Sequence, residues 1–217
     1  MSKQISVTIA VLAFLLGAAA VAASPTISAG VKQGDWIEYQ VTVTGTTDPA
    51  HNVTWARMEI VGVQGNIINL SIATKFADGT TLNENITLNL DVGQLGDDFI
   101  IPANLNSGDI FFDKNQGNIT ISDVEEKTYA GATRKVAIGT TNQTTYFWDQ
   151  ATGVLVDGIS TFPDFTLHSL VDKTNLWQAQ TLGLEPTLFY AAVIGVAVII
   201  VVVIAFFVLR RKKPAKV

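Results

Sequence analysis

Residues 34–45 read GDWIEYQVTVTG. Ile37, Tyr39, Val41 and Val43 fall on one side of an extended chain. Trp36, Glu38, Gln40 and Thr42 fall on the other. Successive side chains alternate faces along a strand, so this period of two predicts a β-strand with one packed face.

The same alternation recurs downstream. In VTWARMEIVGV (53–63), Ala56, Met58 and Ile60 point one way and Arg57 and Glu59 the other. IINLSIATKF (67–76) follows a Gln64-Gly65-Asn66 turn, and TLNENITLNL (81–90) follows Asp78-Gly79, a strong hairpin signal. Further strands are predicted at DIFF (109–112), NITISDVEEKTYA (118–130), TRKVAIGT (133–140), TTYFWD (144–149), GVLVDGIST (153–161) and FTLHSLV (165–171). Asp149 to Gly153 reads as a type I turn closed by a glycine bulge, with Asp149 as its cap. Between the two runs of strands, residues 91–108 contain Gly-Asp-Asp and Ile-Pro, poor strand material, and form a candidate functional loop or flap. No amphipathic helix is evident. The expectation is an all-β ectodomain of about nine antiparallel strands, a sandwich or a curved half-barrel meander.

The two ends of the chain differ in kind. Leu188 to Leu209 holds 22 residues without a charge. At 1.5 Å per residue it spans about 33 Å as a helix, enough for a hydrocarbon core of about 30 Å. Its Val and Ile favour strands in water, but in lipid a lone strand leaves its amides unpaired, so a helix is predicted. Arg210, Arg211, Lys212 and Lys213 form a membrane stop, and the tail 210–217 is expected on the cytoplasmic side. Residues 1–23 have the apolar run and small terminal residues of a signal peptide cleaved after Ala23, with an uncleaved anchor as the alternative. The domains expected are therefore a β domain at 24–175, a stalk at 176–187, and a single transmembrane helix at 188–209. The topology is type I in the cell membrane, with the β domain outside.

All 19 acidic residues lie between 24 and 187, against eight basic ones, a net charge of −11. A field of that sign opposes nucleic acid as a partner. The absence of cysteine excludes disulfides, thiolate nucleophiles and cysteine zinc sites, and hints at a prokaryotic surface.

Five sequons occur, at Asn52, Asn69, Asn85, Asn118 and Asn142. Alternation places Asn69, Asn85 and Asn118 on the polar face and the other two in turns, so glycosylation is expected. Catalytic residues are not expected. His51 and His168 are the only histidines, and no nucleophile elbow or metal-spaced histidine pair exists. Asp97-Asp98 and Glu125-Glu126 are neighbours, which point to opposite faces of a strand and cannot work as a dyad. DKNQGN (113–118) has oxygen ligands but the wrong spacing for an EF-hand, and reads as a solvated turn. No metal or cofactor is expected. Candidate binding residues are Trp36 and Trp55, opposite the packed face, and Asp97 and Asp98 in the long loop. An exposed tryptophan pair would suit a carbohydrate or a protein. A second packed layer would instead bury both, and is the preferred reading.

QGDWIEYQ (33–40) and SGDIFFDK (107–114) look alike, either as a faint duplication or, preferably, as a shared strand-opening turn. The whole layout resembles uncharacterised archaeal type I membrane-anchored surface proteins: a signal peptide, a GDWIEYQV strand, a YFWDQATGVLV hairpin (146–156), a C-terminal span and a basic tail. The late hairpin also resembles those of lipoprotein-carrier folds of the LolA/LolB group, where a curved sheet holds an acyl chain. The function expected is a non-catalytic binding or envelope-structural role at the cell surface. Its partners would be the lipid bilayer and a surface protein, glycan or hydrophobic ligand. A carrier or sensor of a hydrophobic ligand is the alternative, and a surface hydrolase comes third.

Overall fold

The computed structural model describes residues 27–48, 52–93 and 99–211, with side chains as far as 203. The signal peptide, Lys212 and Lys213 lie outside the described residues. Ten strands form, against about nine expected. They are β1 (Trp36–Gly45), β2 (Val53–Gln64), β3 (Ile67–Phe76), β4 (Thr81–Asn89), β5 (Ile110–Asp113), β6 (Gly117–Tyr129), β7 (Ala132–Thr140), β8 (Thr144–Asp149), β9 (Leu155–Thr161) and β10 (Phe165–Thr174). Helix α1 (Pro186–Arg211) follows.

All ten strands belong to one antiparallel sheet in the order β4-β3-β2-β1-β10-β9-β8-β7-β6-β5. Every sequence-adjacent pair is hydrogen-bonded except β4 and β5, and β1 closes on β10 instead. The sheet curls. Ile68 and Leu70 of β3, Leu88 of β4, Tyr39 of β1 and Val156 of β9 share one buried cluster despite their separation in strand order. The chain just past β4 comes back against β5, where a Cβ on Gly93 would lie 2.6 Å from the Phe112 carbonyl oxygen. The architecture is thus the curved meander, not the sandwich.

The predicted alternation is visible in burial. Ile37 and Tyr39, Met58 and Ile60, and Ile68 and Leu70 are all buried on the concave face, in register across β1, β2 and β3. Burial of this kind is worth roughly 25 cal/mol per Å² of apolar surface, and it is what fixes the register.

The chain between β4 and β5 departs from the flap expected of it. Ile100, Ile101, Ala103 and Leu105 are each 3% exposed or less. This crossover passes across the concavity and fills part of it. Ile101 N donates to Gly153 O (2.9 Å), Leu155 N to Phe99 O (2.8 Å) and Asn104 N to Gln150 O (2.7 Å). The turn after β8 and the first residue of β9 anchor all three. Asp149 caps that turn as expected, accepting bonds from Thr152 N (2.9 Å) and Thr152 Oγ1 (2.8 Å). Arg134 Nε donates to its other oxygen at 2.7 Å.

The two Gly-Asp turns are structurally equivalent. Gly34 and Gly108 have φ of +88° and +89°. Asp35 accepts from Lys32 N and Asp109 from Asn106 N, each three residues back. Ile60 exchanges bonds with Gly34 and Asp35, and Ile121 does the same with Gly108 and Asp109. Both partner strands then bulge one residue later. The likeness extends over ISAGVKQGDW (27–36) and IPANLNSGDI (101–110). That is further than a shared turn requires. The two segments lie side by side, with Ala103 N donating to Ser28 O at 2.9 Å.

The expected stalk is partly docked. Trp177 is buried, its Nε1 donates to Tyr129 O (3.1 Å), and Arg134 lies over its ring at 4.8 Å. Gln180 N donates to Gly131 O (2.8 Å), and Thr181 and Leu184 then close a tight turn. Helix α1 starts two residues before the apolar run and spans 26 residues, about 39 Å. Its first 18 residues have a mean hydropathy of 2.6, and none is buried against the rest of the chain. The helix is long and apolar enough to cross a membrane.

Candidate functional site

The concave face is not filled along its whole length. Phe99 ends the crossover's filling on one side. Beyond it lies a cavity of about 170 Å³, walled by Tyr39, Val41, Ala56, Met58, Ile72 and Leu167. Val53, Arg57, Thr74 and Ser169 also line it, and the lining is mostly apolar. Strand polarity gives the cavity a direction. Leu167 stands near the start of β10 and Val53 at the start of β2, at the sheet end opposite Thr174, from which the chain continues to α1.

The cavity wall is rigid where Tyr39 stands. Its hydroxyl donates to Leu155 O at 2.8 Å, and its ring meets Phe99 with centroids 6.4 Å apart. Burial pushes the Tyr39 phenol well above its ordinary value near 10, because the phenolate would lose its hydration. Tyr129 is raised as well, by burial first and then by the negative charge and hydrogen bond of Asp157. The sign follows directly. Folded-state values raised above the unfolded value give stability that is complete below about pH 10 and is lost as pH rises beyond it. In an alkaline titration of phenolate absorbance, Tyr39 and Tyr129 are expected to ionise only as the sheet unfolds. Tyr39→Phe should then remove one late-ionising group. Smooth ionisation of both near pH 10 with the fold intact contradicts this.

The convex face carries the candidates expected there. Trp36 and Trp55 are half-buried, and among the described residues no second sheet covers them. Trp36 is packed under the Arg57 guanidinium, 4.2 Å from its ring centroid, and Arg57 pairs with Glu38 at 2.7 Å. Trp55 stands opposite Gln40, four residues along β1 from Trp36, so the two rings do not form one platform. Asp97, Asp98 and His51 lie outside the described residues. Among the described residues, no group of three or more His, Asp or Glu could hold a metal. The side chain of Asp113 in the DKNQGN turn is buried, which corrects the solvated reading in part. Its Oδ1 accepts from Asn115 N (2.7 Å) and Gln116 N (2.6 Å).

One arrangement was not anticipated. His168 Nε2 lies 2.8 Å from Asp157 Oδ1, and Tyr129 Oη donates to Asp157 Oδ2 at 3.3 Å. These residues sit on the convex face of β10, β9 and β6. No sequence spacing marks the cluster, because it depends on the β9–β10 register, where Leu170 pairs with Asp157. A histidine–carboxylate pair can orient a general base. The pair ties β10 to β9 on the convex face.

No protein-family model and no curated protein matches the chain. A solved structure described as the siderocalin Ex-FABP, which functions through dual ligand specificities, is similar at 14% identity. The similarity covers 73% of this chain and 80% of that one, with a TM-score of 0.24. A likeness at that level carries no argument about this chain.

Proposed function

We propose that this is a single-pass membrane protein whose β domain stands outside the cell and binds a small apolar group without catalysis. In this proposal it belongs beside the archaeal surface proteins that its layout resembles. The supporting observation is the apolar cavity of about 170 Å³ on the concave face. Its size limits the ligand. An apolar cavity of roughly 150 Å³ accommodates a benzene-sized molecule, whereas drug-sized ligands need about 300 Å³ or more. A whole acyl chain does not fit beside the crossover. A ring, a short branched chain or the tip of a longer one does. The LolA/LolB-like carrier reading is therefore narrowed to recognition of an apolar end-group.

Met58 lines the cavity, and Met1 is the only other methionine. The methyl resonance of Met58 is thus a reporter of the site. In the full chain held in lipid nanodiscs, toluene or hexanoate should shift that resonance in a saturable way. Ala56→Phe, which places a ring in the cavity, should abolish the shift while the fold survives. A Met58 signal that ignores both probes in the folded protein rejects the reading.

A further inference from the structure

We infer that Asn69, Asn85 and Asn118 carry N-linked glycans that shield the unclosed seam of the sheet. The inference rests on the outward orientation proposed above. A curved sheet that fails to close exposes unpaired amides and carbonyls along its first and last strands, which invites pairing with a second chain. Here those strands are β4 and β5. Side-chain cover is thin at the β5 edge, where Ile110 and Phe112 are each 53% exposed.

The sequons are placed to compensate. Asn85 lies on β4 itself, and Asn69 on its neighbour β3. Asn118 lies on β6, opposite Phe112 of β5. No sequon asparagine falls on β1, β2 or any of β7 to β10. Each edge sequon runs along a strand, so the asparagine and the hydroxyl residue two positions later share the outward face. All three asparagines are exposed. The local geometry at Asn69 leaves room for a sugar. Its Oδ1 accepts the Thr87 hydroxyl at 2.8 Å, a bond that a substituted Nδ2 would not disturb. Its register partner is Gly62, whose lack of a side chain leaves the Nδ2 side of Asn69 uncovered; a Cβ there would touch Nδ2 at 3.5 Å.

The modification joins the asparagine Nδ2 to the anomeric carbon of an oligosaccharide carried on an isoprenoid phosphate. The phosphate leaves and Nδ2 loses one proton.

The test uses the full chain purified from the membranes of its native source. Mass mapping should find the peptides holding Asn69, Asn85 and Asn118 heavier by a glycan. Asn69→Gln, Asn85→Gln and Asn118→Gln should each remove one such increment. The triple variant should elute as a larger species, through edge pairing. Ser71→Ala, Thr87→Ala and Thr120→Ala destroy the same sequons without touching the asparagines and should behave alike. Protease applied to intact cells reports orientation separately. Removal of the β domain from cells whose edge peptides have bare masses overturns the glycan inference alone. A protected β domain with bare peptides overturns the orientation too. Glycans confined to Asn52 and Asn142 also overturn it.

Discussion

Gly153→Ala is expected to destabilise the protein by about 2–5 kcal/mol and to lower its melting temperature sharply. Two penalties combine. Gly153 has a φ of +73°, where an L side chain costs roughly 1–2 kcal/mol. A Cβ there would also stand 2.0 Å from the Ile101 carbonyl oxygen. That neighbour is backbone and cannot rotate away. It belongs to the crossover that fills part of the concavity, so relief means lifting Ile100 and Ile101 out of the core. Such overpacking typically costs about 1–3 kcal/mol more. Gly79→Ala is the control. Its φ of +88° carries the same backbone strain, but nothing lies within 4 Å of the added carbon. Thermal unfolding of the full chain in nanodiscs should separate the two variants widely. Superimposed melting curves would mean that the crossover does not depend on this turn.

This glycine shows where sequence reading reached and where it stopped. Asp149 to Gly153 is legible as a capped turn because its signals are local. What the turn holds is not legible. IPANL (101–105) has the composition of a loop, yet Ile101 and Leu105 are core. Its burial depends on the sheet curling until β4 and β8 face the same space, and no local pattern encodes that. The strands themselves were readable because period-two alternation needs only neighbours. The same limit explains the tryptophans. Alternation put Trp36 and Trp55 on the convex side correctly. Whether another layer covers that side depends on the order of all ten strands. Trp177, read as part of a stalk, is fastened by Tyr129, 48 residues away in sequence. The cavity exists only as the gap that the crossover leaves, so its residues could be named as packed but not as a site.

Arg134→Met is expected to destabilise the protein by about 3–5 kcal/mol, the usual effect of stranding a buried charge. Asp149 is 1% exposed, and Arg134 meets it with two nitrogens, Nε at 2.7 Å and Nη2 at 3.2 Å. The remaining bonds to the carboxylate come from Thr152, so removing the guanidinium leaves a buried carboxylate with neutral donors only. Arg134 also covers the Trp177 ring, so the same change loosens the linker to α1. A second substitution separates the two effects. Arg134→Met with Asp149→Asn removes the stranded charge and keeps an oxygen to accept the Thr152 amide. It should recover most of the loss in global unfolding. The linker should stay loose, because neither new side chain places a cation over the indole. Denaturant unfolding reports the first effect, and limited proteolysis within 176–185 the second. Full recovery of both would mean that Arg134 acts only through Asp149. Failure of the double variant to regain stability would mean that the pair contributes chiefly through packing, which the near-complete burial of Asp149 argues against.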